Sequence, residues 1–245
     1  MLNIPYKAFI ITLLLFAIKD DDSFLPQNGK ELIYEIYNRY SGKFFKTLSF
    51  SQHLIRYEKN RELSREIMHE AYAAPGKLIL KFKSWESGDG VLFRSDSIYS
   101  FMNGKMVSQE KRIHDLLLLC FDIYNIAPDV TIQKLRMLNY NLDLIQKIKQ
   151  NGEEMYLVGD VNENCFWFDA KSLMLKKLQV KNTNRARTVK LSDFKIINSI
   201  PIATKIEFFD SGNNLEMVEM YFDVTPFREL NDNIFIPANF IQSKW

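Results

Sequence analysis

The sequence predicts a mostly β protein in which about ten or eleven antiparallel strands curve around a helical cover. Three observations carry that expectation. Apolar residues alternate with polar ones from Thr47 almost to the C-terminus. Asn103-Gly104 and Asn151-Gly152 are the dipeptides that tight hairpins favour. Between Gln109 and Tyr140 the alternation stops: there is no glycine and a single proline, Pro128, as a helical insert requires. A chain of 245 residues is commonly one unit when it is mostly β. Residues 23–245 are therefore expected to form a single domain.

The elements follow in order. Lys7 precedes the apolar run "AFIITLLLFAI", and "KDDDS" ends it abruptly. A helix of that length rises roughly 16 Å, about half the hydrocarbon core of a bilayer. Residues 1–22 thus read as a signal peptide with an uncertain cleavage site between Ala17 and Phe24, an uncleaved inner-membrane anchor being the alternative. Export to the periplasm follows from this reading. Leu32, Ile33, Ile36, Tyr37 and Tyr40 then stand at helical spacing behind Asn28, a side chain suited to an N-cap. From Thr47 the period becomes two, with Leu48, Phe50 and Leu54 against Ser49, Ser51 and His53. In "KLILKFK", Leu78, Leu80 and Phe82 oppose Lys77, Lys81 and Lys83, and Ile79 alone breaks the pattern. Further strands are read at Val91, Ser97, "LIQKIKQ", "EEMYLVGD", "NCFWFDA", "LMLKKLQVK", "RTVKLSDFKII", "ATKIEFFD" and "LEMVEMYFDV". Antiparallel strands with this alternation leave one face wet and need the other covered. The leucine run Leu116–Leu119, apolar on every side, is the natural cover, since in water it would form a large exposed patch.

Composition and motifs remove several functions. Hydrophobic residues at 47% and charged residues at 25% describe a globular chain, and a net charge of +2 gives no global attraction to nucleic acid. No nucleophile elbow, phosphate loop, Cys-x-x-Cys or dinucleotide fingerprint occurs. His69-Glu70 begins like a zinc-protease helix, but position 73 is Ala where the second histidine must stand. A non-enzymatic protein without cofactor or metal is expected. The two cysteines, Cys120 and Cys165, lie in apolar surroundings and read as buried thiols, although an oxidising envelope would permit a disulfide.

Several of these segments together resemble a known family. "TLSFSQ" after an amphipathic helix, "APGKLILKF", "GVLFRSDSIYSFMNGK" and "NCFWFDAKSLMLKKLQ" are similar, in order and spacing, to the periplasmic carriers of the outer-membrane lipoprotein-sorting (LolA-like) superfamily. The resemblance implies an unclosed antiparallel β-barrel with N-terminal and central helices as a lid. Its apolar interior would shelter the acyl chains of a lipoprotein or other envelope lipid, as a monomeric chaperone of outer-membrane biogenesis passing cargo from an inner-membrane donor to an outer-membrane acceptor. The carriers place an arginine before the proline of "APGK" to latch the lid; here Ala74 precedes Pro75. Arg56 and Arg94 are the alternatives. A sensor or regulatory interaction module on the same fold is the second reading.

The expected lipid site joins strand and lid residues. Leu48, Phe50, Leu54, Leu78, Leu80, Phe82, Ile206 and Phe208 would line the sheet, with Leu116, Leu117, Leu119 and Phe121 closing over it when empty. Removing an acyl chain from water is worth about 0.8 kcal/mol per CH₂, on the order of 12 kcal/mol for a sixteen-carbon chain. Methionines in strands, Met102, Met155, Met174, Met217 and Met220, suit an adaptable lining. Lys176, Lys177, Lys181, Arg185, Arg187 and Lys190 run without an acid between them. They read as a solvated hairpin or as a docking surface for anionic head groups or an acidic partner.

Overall fold

In a computed structural model, which describes residues 24–181 and 186–245, the chain builds one antiparallel sheet of 13 strands that does not close. Helix α1 (Gly29–Tyr40) leads into β1 (Thr47–Glu58), β2 (Arg61–Ala73), β3 (Lys77–Phe82), β4 (Gly90–Arg94), β5 (Ser97–Met102) and β6 (Lys105–Lys111). The helical insert follows as α2 (Asp115–Cys120), a 3₁₀ turn (Asp122–Tyr124) and α3 (Pro128–Met137). The second arm is β7 (Ile145–Gln150), β8 (Glu153–Gly159), β9 (Cys165–Asp169), β10 (Leu175–Val180), β11 (Arg187–Ile197), β12 (Ile200–Phe209) and β13 (Leu215–Pro226). Each strand pairs with its neighbour in sequence except at the centre, where β1 meets β13. β6 and β7 are the two free edges. The predicted signal peptide lies outside the described residues.

Two strands exceed the eleven segments read from the sequence. β2 begins "RELSRE", whose charged residues favour a helix, and only its second half from Met68 is mostly buried. It starts at a two-residue turn, Lys59 and Asn60, with φ of 49° and 63°. That is the conformation of a type I′ hairpin, reached without glycine. β6, "KMVSQEK", is an edge strand with no buried residue, so no periodicity marks it. It takes Gln109–Lys111 from the expected helical insert. Asn103-Gly104 and Asn151-Gly152 adopt the predicted turn, with φ of 51° and 75° and of 53° and 86°.

The sheet has an inner and an outer face. On the inner face α1 buries Leu32, Ile33 and Ile36 in a cluster with Phe50, Tyr72, the leucine run and Phe168. Asn28 caps α1 as expected, its Oδ1 accepting the Glu31 N–H at 3.0 Å, and α1 packs on α3 and on the 3₁₀ turn. The outer face of β2–β5 is not wet. Two 3₁₀ turns after β13, Asp232–Phe235 and Pro237–Gln242, form a strap whose Ile234, Phe235 and Phe240 cover Ala71, Ala73, Ile79, Leu92 and Phe101. Ile79, which spoiled the alternation, belongs to this second core. Lys81, expected in water, is fully buried beneath the strap and donates to the carbonyls of Trp85 (3.2 Å) and Ile241 (3.0 Å). Gly90 is required here: a Cβ would stand 2.0 Å from the Leu80 oxygen and 2.7 Å from the Phe240 ring.

Candidate functional site

The site is a hollow of about 710 Å³ between the inner face and α2, inside the range of roughly 300–1,000 Å³ typical of ligand pockets. Its walls explain the leucine run. Leu116 and Leu117 face the hollow, while Leu118 and Leu119 pack into the main core, so all four leave water. His114 caps the helix, its Nδ1 accepting the Leu117 N–H at 3.1 Å. Burial lowers that imidazole to about 4, which keeps the accepting nitrogen free of a proton at neutral pH. Asp115 ties α2 to β11 through a 2.8 Å ion pair with the mostly buried Arg187.

The expected site residues divide in two. Phe50, Leu78, Leu80, Leu116, Leu117, Phe121, Ile206 and Phe208 line the hollow. Leu48 and Leu119 are buried in the main core instead, and Leu54 is buried on β1 away from the wall. Phe82, at the end of β3, also stands apart from it. Met174 and Met217 line the hollow, but Met155 packs on the outer face and Met102 and Met220 are exposed. The exposed lining residues Arg56, Leu63 and Glu216 lie where the β1–β2 and β12–β13 turns meet, which makes that end the mouth.

The lid is held by a device that the sequence did not announce. Asp122, in the 3₁₀ turn after α2, accepts the Tyr72 hydroxyl at 2.9 Å and the Gly76 N–H at 3.0 Å. Asn125 adds a bond from its Nδ2 to the Phe45 carbonyl at 2.9 Å. The loop Ala74-Pro75-Gly76, where an arginine was expected, thus supplies a backbone donor, and the lid supplies the charge. Neither alternative arginine does this work: Arg94 donates to the Phe235 carbonyl of the strap at 3.0 Å, and Arg56 stands at the mouth. Burial raises the Asp122 carboxyl to about 6, against the bonds from Gly76 and Tyr72.

Two further acids lie in the floor of the hollow. Glu70 on β2 and Glu219 on β13 flank β1, with Gln52 between them. Tyr221 donates to Glu219 Oε2 at 3.0 Å, while Oε1 of the buried Glu70 meets no partner among the described residues. Burial raises both carboxyls, and the negative charge of Glu219 raises Glu70 further. In the sequence Glu70 stood out only beside His69, and Glu219 not at all. The available signal was an acid in an otherwise apolar row, Met68-x-Glu70-x-Tyr72 and Met217-x-Glu219-x-Tyr221.

The basic run does not form one surface. Lys177 and Lys190 pair across β10 and β11 on the outer face, seated over Trp167 (4.1 Å) and Phe209 (4.3 Å). These cation–π contacts offset the repulsion of like charges placed opposite each other. Lys176 is paired with Glu153 at 3.0 Å, and Lys181 donates to the Val161 carbonyl at 2.8 Å. Arg187 belongs to the lid and the hollow, and Arg185 lies outside the described residues. Alternation along the strands is the reason: consecutive basic residues cannot share a face. Both thiols are free, Cys120 in the wall of the hollow and Cys165 in an outer-face cluster with Trp167. Among the described residues no helix is long and apolar enough to cross a membrane, and no group of His, Cys, Asp and Glu could hold a metal.

No family model and no curated protein matches the sequence. Solved structures do match. An outer membrane lipoprotein-sorting protein domain from Vibrio parahaemolyticus superposes with a TM-score of 0.60 at 14% identity, over 88% of this chain and 98% of that one. A DUF1329 family protein from Desulfovibrio piger gives 0.58 at 11% identity, over 85% and 95%. A LolA superfamily protein from Nitrosomonas europaea gives 0.57 at 14% identity, over 84% and 97%. An unclosed antiparallel sheet wrapped around a helical lid, shared with these proteins over nearly their whole length, shows that the chain has the LolA-like fold.

Proposed function

We propose that the protein is a non-enzymatic lipid carrier of the cell envelope, which shelters the acyl chains of a lipoprotein or other lipid between its sheet and its lid. The observation that carries this reading is the unfilled hollow of about 710 Å³ walled by Phe50, Leu80, Leu117, Phe121, Ile206 and Phe208. A well-packed interior leaves few voids larger than a water molecule, so a hollow of this size in an ordinary core would forfeit many contacts. An acyl chain restores them. Leu116, Leu117 and Phe121 exchange contact with the sheet for contact with lipid, so loading and release are nearly balanced in buried area. With residues 1–22 as leader, the carrier works in the periplasm, receiving cargo from an inner-membrane donor and yielding it to an outer-membrane acceptor.

The test is mass spectrometry of lipids co-purified with the protein from its native envelope. Acylated lipid or lipopeptide recovered at near one per protein is expected; a preparation with no lipid that also fails to bind a neutral hydrophobic fluorophore would end the proposal. Leu117→Glu should abolish that binding while strand content by circular dichroism stays nearly unchanged.

A further inference from the structure

The polar part of the floor has no role in sheltering a hydrocarbon. Glu70 and Glu219 project from the two strands that flank β1, near the centre of the sheet, into a hollow whose walls are otherwise mostly Leu, Ile, Phe and Met. An uncompensated carboxyl group in such a place is costly, and native proteins keep one chiefly where something pairs with it. Within the chain the pairing is incomplete. Tyr221 serves one oxygen of Glu219, and the Gln52 side chain also bonds to that carboxyl. Oε1 of Glu70 and Oε1 of Gln52, both buried, accept nothing among the described residues. Arg187, whose charge acts on Glu219, pairs with Asp115 at 2.8 Å, and its buried Nε meets no partner among the described residues. What Oε1 of Glu70 lacks is a donor.

We infer that the Glu70–Glu219 pair is a head-group subsite for a cationic N–H donor, a primary ammonium carried by the apolar chain that fills the rest of the hollow. The geometry suits it. A primary ammonium has three N–H donors, and the floor offers the orphaned oxygen of Glu70 together with the carboxyl of Glu219. The raised carboxyls agree with this assignment: burial disfavours their ionised form, and an ammonium beside them restores it. The inference rests on the hollow being a lipid site, and it adds which head group that lipid carries.

The experiment compares dodecylamine, dodecanol and dodecanoate for displacement of the neutral fluorophore N-phenyl-1-naphthylamine from the full-length mature protein at neutral pH. The amine should bind about tenfold or more tighter than the alcohol, and the alcohol tighter than the carboxylate, as expected for a charge-assisted bond in a buried site. In Glu70→Gln combined with Glu219→Gln, the ratio of amine to alcohol affinity should fall to about one. Equal affinities in the parent protein, or a carboxylate that binds as tightly as the amine, would overturn the subsite while leaving the lipid hollow in place. If none of the three displaces the fluorophore, the lipid reading itself falls, and the subsite with it. The comparison of head groups needs no variant, so a misfolded mutant cannot hide the answer.

Discussion

On the outer face of β2–β5, Phe240 of the strap lies flat on Phe101, with ring centroids 3.9 Å apart and planes within 1°. On the inner face, Phe121 of the lid faces Phe50 across 6.4 Å at the rim of a hollow of about 710 Å³. Both covers are short helical segments over the sheet, and both use aromatic residues. They differ in what fills the gap. The strap meets Ala71, Ala73 and Gly90, small residues that let it sit against the backbone, and Lys81 links its Ile241 carbonyl to the Trp85 carbonyl after β3. The lid borders the hollow through Leu116, Leu117 and Phe121, packs into the main core through Leu118 and Leu119, and is tied at its ends by Asp115 and Asp122. Close packing makes a cover permanent; ties at the ends leave room for one that opens.

The largest effect should come from breaking the solid side. Phe240→Ala removes a ring that is 1% exposed and stacked, and is expected to destabilise the protein by about 3–5 kcal/mol in urea unfolding. Fluorophore binding per folded molecule should not change, because the hollow is on the other face. Leu117→Ala is the matching change on the lid. Leu117 is 4% exposed but borders empty space on one side, so the loss should lie near the low end for such substitutions, about 2 kcal/mol. The hollow should enlarge, and longer alkyl alcohols should gain relative to shorter ones. A Leu117→Ala cost equal to that of Phe240→Ala would show the two faces to be packed alike.

Lys81→Met probes the clamp. The variant keeps the packing of the stem over Phe240 but leaves the Trp85 and Ile241 carbonyls without their donor, a loss of about 1–3 kcal/mol. Its signature is local: proteolysis after Phe227 should accelerate while the inner face stays protected. Unchanged proteolysis would mean that aromatic packing alone holds the strap.

How much of this could be read beforehand depended on whether a residue's neighbours lie close in sequence. The alternation around Phe50 and Leu80, the two Asn-Gly turns and the cap at Asn28 are local, and each stands where expected. β2 was hidden because "RELSRE" carries helix-favouring charge and its hairpin turns at Lys59-Asn60 without glycine. The strap was hidden because 3₁₀ turns have no long period, and its only trace was Ile79, apolar on a face expected to be wet. For the site, eight of the twelve expected lining residues reach the hollow, because period two assigns a face. It does not assign depth along the strand, and that is where Leu48, Leu54 and Phe82 depart. Asp122, Glu70 and Glu219 depend on partners from distant strands and had no local mark.

The smallest effects concern the lid's ties and appear as slopes with pH. Asp122 is raised from 3.8 to about 6 on folding, so between those values the native state holds more protons than the unfolded chain, and stability falls as pH rises. His114 is lowered from 6.5 to about 4, so in that window the unfolded chain holds more protons, and stability rises with pH. The two ties therefore oppose each other across pH 4 to 6, each with a slope no steeper than about 1.4 kcal/mol per pH unit. Asp122→Asn keeps an oxygen for Tyr72 and Gly76 but cannot ionise; its stability relative to the parent should climb as pH goes from 4 to 6. His114→Asn keeps a capping side chain, and its relative stability should climb as pH falls from 6.5 to 4. Taking each variant as a difference from the parent removes the contributions of Glu70 and Glu219, whose carboxyls burial also raises. No such slope is expected for Phe240→Ala on the strap side, which removes no ionisable group. If Asp122→Asn and His114→Asn show the same sign of slope, the lid is not held by the opposed pair that its hydrogen bonds describe.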